Sequence, residues 1–115
     1  MGIEQIIANQ RNFFNTNATK DTGFRIEQLK RVKALLKAKE PLLFNAIYDD
    51  FGKSEFDTYV SELSMIYHEI NLAIKQVKQW SCKTKVATNF ANFPAKSYIM
   101  PEPLGTVLVI GAWNY

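Results

Sequence analysis

The chain has 115 residues, 47% hydrophobic and 22% charged, with a formal charge of +3. That apolar content supports a real core, and so mild a charge gives no sign of the basic face used in nucleic-acid binding. The single cysteine excludes an internal disulfide framework and fits a reducing compartment, so a cytoplasmic setting is expected.

The N-terminal stretch Met1-Gly-Ile-Glu-Gln-Ile-Ile7 lacks the basic start and long apolar core of a secretion signal. No apolar run reaches membrane-spanning length, so no membrane segment is expected. Ile3, Ile6, Ile7, Gln10, Phe13 and Phe14 recur at three- and four-residue spacing, which predicts an amphipathic helix over 3–14. Asn15 to Gly23 is polar and punctuated like a loop. Its Asn17-Ala18-Thr19 triplet matches a glycosylation acceptor by chance, since no secretion signal precedes it.

Ile26, Leu29, Val32, Leu35 and Leu36 predict a second helix over 24–38. Lys30, Arg31, Lys33 and Lys37 lie largely off that stripe, as a solvated face or as a surface for an acidic partner. Glu40-Pro41 opens a third helix, because proline suits the first turn, and Gly52 after Phe51 is its expected stop. The acids Asp49 and Asp50 beside Gly52 lack the alternating ligands of a calcium loop, so a turn is expected there.

Ser54 is a plausible N-cap for a long helix from 55 to about 80. Phe56, Val60, Leu63, Tyr67, Ile70, Ile74 and Val77 alternate spacings of four and three along it. Such a seam suits either a coiled-coil dimerisation helix or a long helix packed along a domain. His68 and Cys82 each stand alone in the sequence, without a second ligand or a partner base, so neither a metal site nor a thiol nucleophile is expected from them. Residues 83–96 read as an irregular connector, and Ser97 to Met100 as a short strand.

Thr106 to Ile110 is apolar and rich in β-branched residues, which predicts a strand buried on both faces of a parallel sheet. Its neighbours need long crossover connections, so the chain reads as the N-terminal piece of a larger protein. Gly111 to Tyr115 then fall beyond the carboxyl end of the strand, where ligands bind in open α/β sheets. Gly111 allows close backbone approach and Trp113 offers a flat apolar wall. Asn114 offers a neutral amide that suits either an oxyanion donor or the N-cap of a following helix.

Glu102-Pro-Leu-Gly-Thr-Val-Leu-Val-Ile-Gly-Ala-Trp-Asn-Tyr115 resembles the motif that opens the nucleotide-binding domain of aldehyde dehydrogenases, class 3 above all. Asp-Phe-Gly-Lys53 followed by a segment ending in Glu62 matches a second signature of that family. The resemblance covers about residues 24–115, roughly the first quarter of a family member. It implies NAD- or NADP-dependent oxidation of a small-molecule aldehyde through attack by a downstream Cys thiolate, in a homodimer. Asn114 then matches the oxyanion donor, and Ile110, Gly111, Ala112 and Trp113 match the cofactor cleft. Tyr115, Glu62 and Met65 correspond to the lining of the aldehyde tunnel. The Gly-x-Gly-x-x-Gly fingerprint is absent from these residues, and the family does not use the standard form.

The expected fold class is α/β: a helical segment leads into the first strand of a Rossmann-like domain of the aldehyde dehydrogenase type, and the chain itself is mostly α. Residues 1–96 are expected to form the helical part of the cofactor-binding domain and 97–101 a bridging strand. Residues 102–115 are expected to form the first nucleotide-binding strand and the start of the active-site loop. Alone, the chain is expected to be inactive. The rival expectation is a stand-alone helical module that dimerises through the 56–77 seam.

Overall fold

The computed structural model describes residues 2–111. Five helices come first: α1 (Ile3–Asn15), α2 (Thr22–Ala38), α3 (Glu40–Phe51), α4 (Glu55–Thr58) and α5 (Ser64–Trp80). A π-helical turn, Tyr59–Leu63, joins α4 to α5, and strands β1 (Thr84–Val86) and β2 (Ser97–Ile99) follow. The chain divides into two compact units, one formed by Arg25–Trp80 and the other by the segments up to Phe24 and from Ser81 onward.

Helix ends follow local side-chain chemistry. Asp21 starts α2 two residues earlier than the apolar spacing predicts, its carboxylate accepting from the N–H groups of Gly23 (3.1 Å) and Phe24 (2.9 Å). Pro41 sits in the first turn of α3, and Gly52 ends that helix at φ 72°, its N–H donating to the Tyr48 carbonyl at 2.7 Å. A side chain at that left-handed position is strained, which is why glycine follows Phe51. Ser54 caps α4 as expected, its Oγ accepting from Asp57 N–H at 3.1 Å.

Within the Arg25–Trp80 unit, the helix predicted to run unbroken from 55 to 80 contains the π turn instead. Ser64 N–H donates to the Tyr59 carbonyl five residues back, so the turn admits one extra residue. Residues on one face across it are therefore five apart, and the fully buried Thr58 lines up with buried Leu63. Tyr67 and Ile70 continue that buried line at spacings of four and three. Upstream of the turn the predicted seam is out of phase, and Phe56 is 74% exposed. Its central residues are spent on packing inside the unit, which leaves the dimerisation module without the middle of its seam.

Two hydrogen bonds hold helices around α5. Tyr67 Oη donates to Glu40 Oε1 at 2.5 Å, and Lys33 Nζ donates to Asn71 Oδ1 at 2.7 Å. Burial, and then the bond to Glu40, push the Tyr67 phenol up to about 12 from its ordinary 10.0.

In the other unit, the Phe13 and Phe24 rings meet with centroids 5.9 Å apart. Gly105 has φ +100°, and a Cβ there would come within 3.7 Å of the Phe14 ring, so the left-handed backbone and the close approach both call for glycine. Lys20 Nζ lies 3.1 Å from Glu102 Oε2. Strands β1 and β2 pair antiparallel with Lys85 opposite Tyr98. Thr88 Oγ1 continues the hairpin, accepting from Ser97 N–H at 2.9 Å.

Two expectations need correction here. The 83–96 stretch is not wholly irregular, because Thr84–Val86 is a strand, one whose partner lies beyond a non-regular loop that its three residues do not announce. Thr106 to Ile110 is not paired into any sheet among the described residues, and Leu108 and Val109 are 83% and 85% exposed. A parallel strand exists only through its neighbours, and none is within this chain.

Candidate functional site

The residues singled out for chemistry fall into two groups, one in each unit. Ile110 and Gly111 end the terminal run, Ile110 exposed and Gly111 with nothing within 4 Å of where a Cβ would stand. Ala112, Trp113, Asn114 and Tyr115 lie outside the described residues.

Glu62 and Met65 belong to the helical unit, and the π turn decides how Glu62 is presented. Lys53 Nζ lies 2.5 Å from Glu62 Oε1, with the lysine side chain 14% and the glutamate side chain 29% exposed. The pair depends on the left-handed turn at Gly52 and the Ser54 cap, which reverse the chain between α3 and α4. Lys53 Nζ also stands 5.8 Å from the centre of the Phe51 ring. A charge-assisted bond between half-buried partners holds more firmly than an exposed ion pair, which water and salt screen.

Hydroxyls reinforce the margins of the π turn. Ser61 Oγ donates to the Asp57 carbonyl at 2.6 Å and Ser64 Oγ to the Val60 carbonyl at 2.7 Å. These extra donors help satisfy carbonyls where the regular ladder changes step. Met65 follows Glu62 by three residues, is exposed, and lines a surface hollow of about 420 Å³ with Ser64, His68 and Glu69.

The structure thus keeps Glu62 and Met65 on adjacent turns and supplies a partner, Lys53, that the sequence reading did not assign. The signal was present, since Lys53 and Glu62 are the two charged ends of one signature. His68 and Cys82 are exposed. Among the described residues no group of three His, Cys, Asp or Glu side chains is placed to hold a metal ion. Nor is any described helix long and apolar enough to cross a membrane.

Comparison with known proteins places these features in a wider setting. The family model "Aldehyde dehydrogenase family" matches residues 1–115. The chain is 42% identical over 113 residues to 4,4'-diaponeurosporen-aldehyde dehydrogenase of Staphylococcus aureus, covering 98% of this chain and 25% of that protein. It is 39% identical to aldehyde dehydrogenase family 3 member H1 of Arabidopsis thaliana, over 96% of this chain and 23% of that one. It is 34% identical to the dimeric NADP-preferring aldehyde dehydrogenase of Canis lupus familiaris, over 98% and 25% of the two chains. A solved structure of Staphylococcus aureus AldH in a substrate-bound state superposes with a TM-score of 0.84 at 39% identity, over 90% of this chain and 22% of that one. The class 3 likeness rests on relatives named as family 3 members, and the mostly helical chain with its short sheet agrees with the N-terminal part of an α/β domain of this type. The chain spans about a quarter of the length of the curated relatives it matches.

Proposed function

The chain belongs to the aldehyde dehydrogenase family, and from that premise we propose that the full-length protein oxidises an aldehyde to a carboxylic acid with NAD or NADP. The observation that carries the reading is the family match along all of residues 1–115, including the Glu102–Tyr115 motif.

In the proposed reaction a thiolate from a cysteine beyond these residues forms a bond to the carbonyl carbon, and the carbonyl electron pair moves onto oxygen. The Asn114 amide donates to that oxygen. A neutral amide keeps its proton at any working pH, and it is worth most where the negative charge has gathered. The bound nicotinamide supplies the hydride acceptor that takes the thiohemiacetal to a thioester. Water, deprotonated by a glutamate beyond these residues, then releases the acid and frees the thiol.

On the cofactor side, the open space at Gly111 supports close approach of a ligand to the main chain, with Ile110, Ala112 and Trp113 completing that wall. Glu62, Met65 and Tyr115 line the aldehyde's path in this reading. Residues 1–96 contribute the helical part of the cofactor domain, 97–101 a strand bridging two subunits of a homodimer, and 102–115 the first nucleotide-binding strand with the active-site loop. A relative bearing the name dimeric supports the dimer. The cytoplasm, where the Cys82 thiol stays reduced, is the proposed setting.

Purified full-length protein incubated with medium-chain aldehydes and either NAD or NADP tests the proposal. Reduced nicotinamide formed in step with carboxylic acid is the expected result. Absence of turnover with both cofactors across aliphatic and aromatic aldehydes contradicts it.

A further inference from the structure

The ion pair of Lys53 with Glu62 does more than the proposed reaction requires of it. Glu62 sits in the π turn, one turn before Met65, and 29% of its side-chain surface stays open while Lys53 engages Oε1. Lys53 is held from the other side, over the Phe51 ring and behind the left-handed Gly52 turn, so its ammonium is not a wandering surface charge. A half-buried carboxylate without that ammonium would face any bound molecule as a bare negative charge.

We propose that Lys53 is a positioning and charge-compensating residue for Glu62, which renders this part of the aldehyde's path electrically neutral and so admits aldehydes that carry a carboxylate. The inference rests on the reading that Glu62 lines the aldehyde's path. Lys53 acts through Glu62 and touches no reacting atom.

The test compares the full-length enzyme on butanal and on its carboxylate-bearing analogue, succinic semialdehyde, and reads the ratio of the two kcat/KM values. Lys53→Met keeps the aliphatic stem and removes the charge. Two unit charges several ångströms apart at a protein surface interact strongly enough that the ratio should fall about tenfold against the carboxylate aldehyde, through KM. Lys53→Arg should hold the ratio near wild type, and adding Glu62→Gln to Lys53→Met should restore it. Should the Met variant fail to fold, Lys53→Gln, which keeps a donor for the carboxylate, should show the same direction.

A purely structural lysine would lower the melting temperature and slow both aldehydes alike, leaving the ratio within twofold, and that result overturns the proposal. If Glu62→Gln alone shifts the ratio while removal of the Lys53 charge does not, the compensation idea fails and the lining role of Glu62 stands. If neither variant shifts it in an active enzyme, the lining role of Glu62 fails with it.

Discussion

Helices 25–80 and the run from Thr106 to Gly111 are about equally apolar to the eye, yet the first builds a core and the second lies open. In the helical unit, Thr58, Leu63, Tyr67 and Ile70 are buried by partners within a few turns of chain. In the terminal run, Leu108, Val109 and Ile110 are largely exposed. A helix satisfies its own backbone and needs only a face to bury, whereas a parallel strand needs neighbours supplied from far along the chain. The difference between the regions is one of contact range, not of hydrophobicity.

The widest contrast is between Leu63→Ala and Leu108→Ala in the full-length protein. Leu63 is already packed, so its truncation should cost roughly 2–5 kcal/mol in denaturant unfolding. If the rest of the protein brings sheet neighbours to the run, Leu108→Ala should cost a similar roughly 2–5 kcal/mol. A Leu108→Ala cost within about 0.5 kcal/mol, the range of an exposed site, would break the comparison.

Tyr67 gives a pH test of the packed side. Its folded pKa of about 12 lies above the ordinary 10.0, so between those values the unfolded chain has released a proton that the folded chain still holds. Stability is therefore fully present below pH 10 and declines as pH rises toward 12. At roughly 1.4 kcal/mol per pKa unit the contribution is about 2–3 kcal/mol. Tyr67→Phe should flatten that part of the stability profile, and an unchanged slope between wild type and variant would show that the phenol is not held as the geometry indicates. The smallest effect is expected at Ser54. Ser54→Ala removes the acceptor for Asp57 N–H and should cost about 1 kcal/mol by thermal melt, with Ser54→Asp losing much less.

The same contrast explains what could be read from residues alone. Pro41, Gly52 and Ser54 mark helix ends because each acts through its own backbone or its nearest neighbours. The π turn escaped because the seam from Phe56 to Val77 fits a regular heptad, and only the five-residue step from Thr58 to Leu63 betrays the inserted residue. Strand β1 escaped because Thr84-Lys-Val86 carries no alternation of its own and is a strand only opposite Ser97–Ile99. At the candidate site, Glu62 and the Trp113-Asn114 pair were legible through their motifs, while the Lys53 partner emerged only from a turn that folds nine residues back on themselves.

The central claim, that Asn114 donates to an oxyanion, is tested most directly by the turnover of two variants of the full-length protein. Loss of such a donor should lower kcat of Asn114→Ala roughly 10²–10³-fold while leaving cofactor affinity nearly intact. Asn114→Asp should be at least as damaging, because its carboxylate would face the developing negative charge. A helix-capping role orders the two variants the other way, since aspartate caps well and alanine does not. Near-normal turnover of Asn114→Asp would contradict the account.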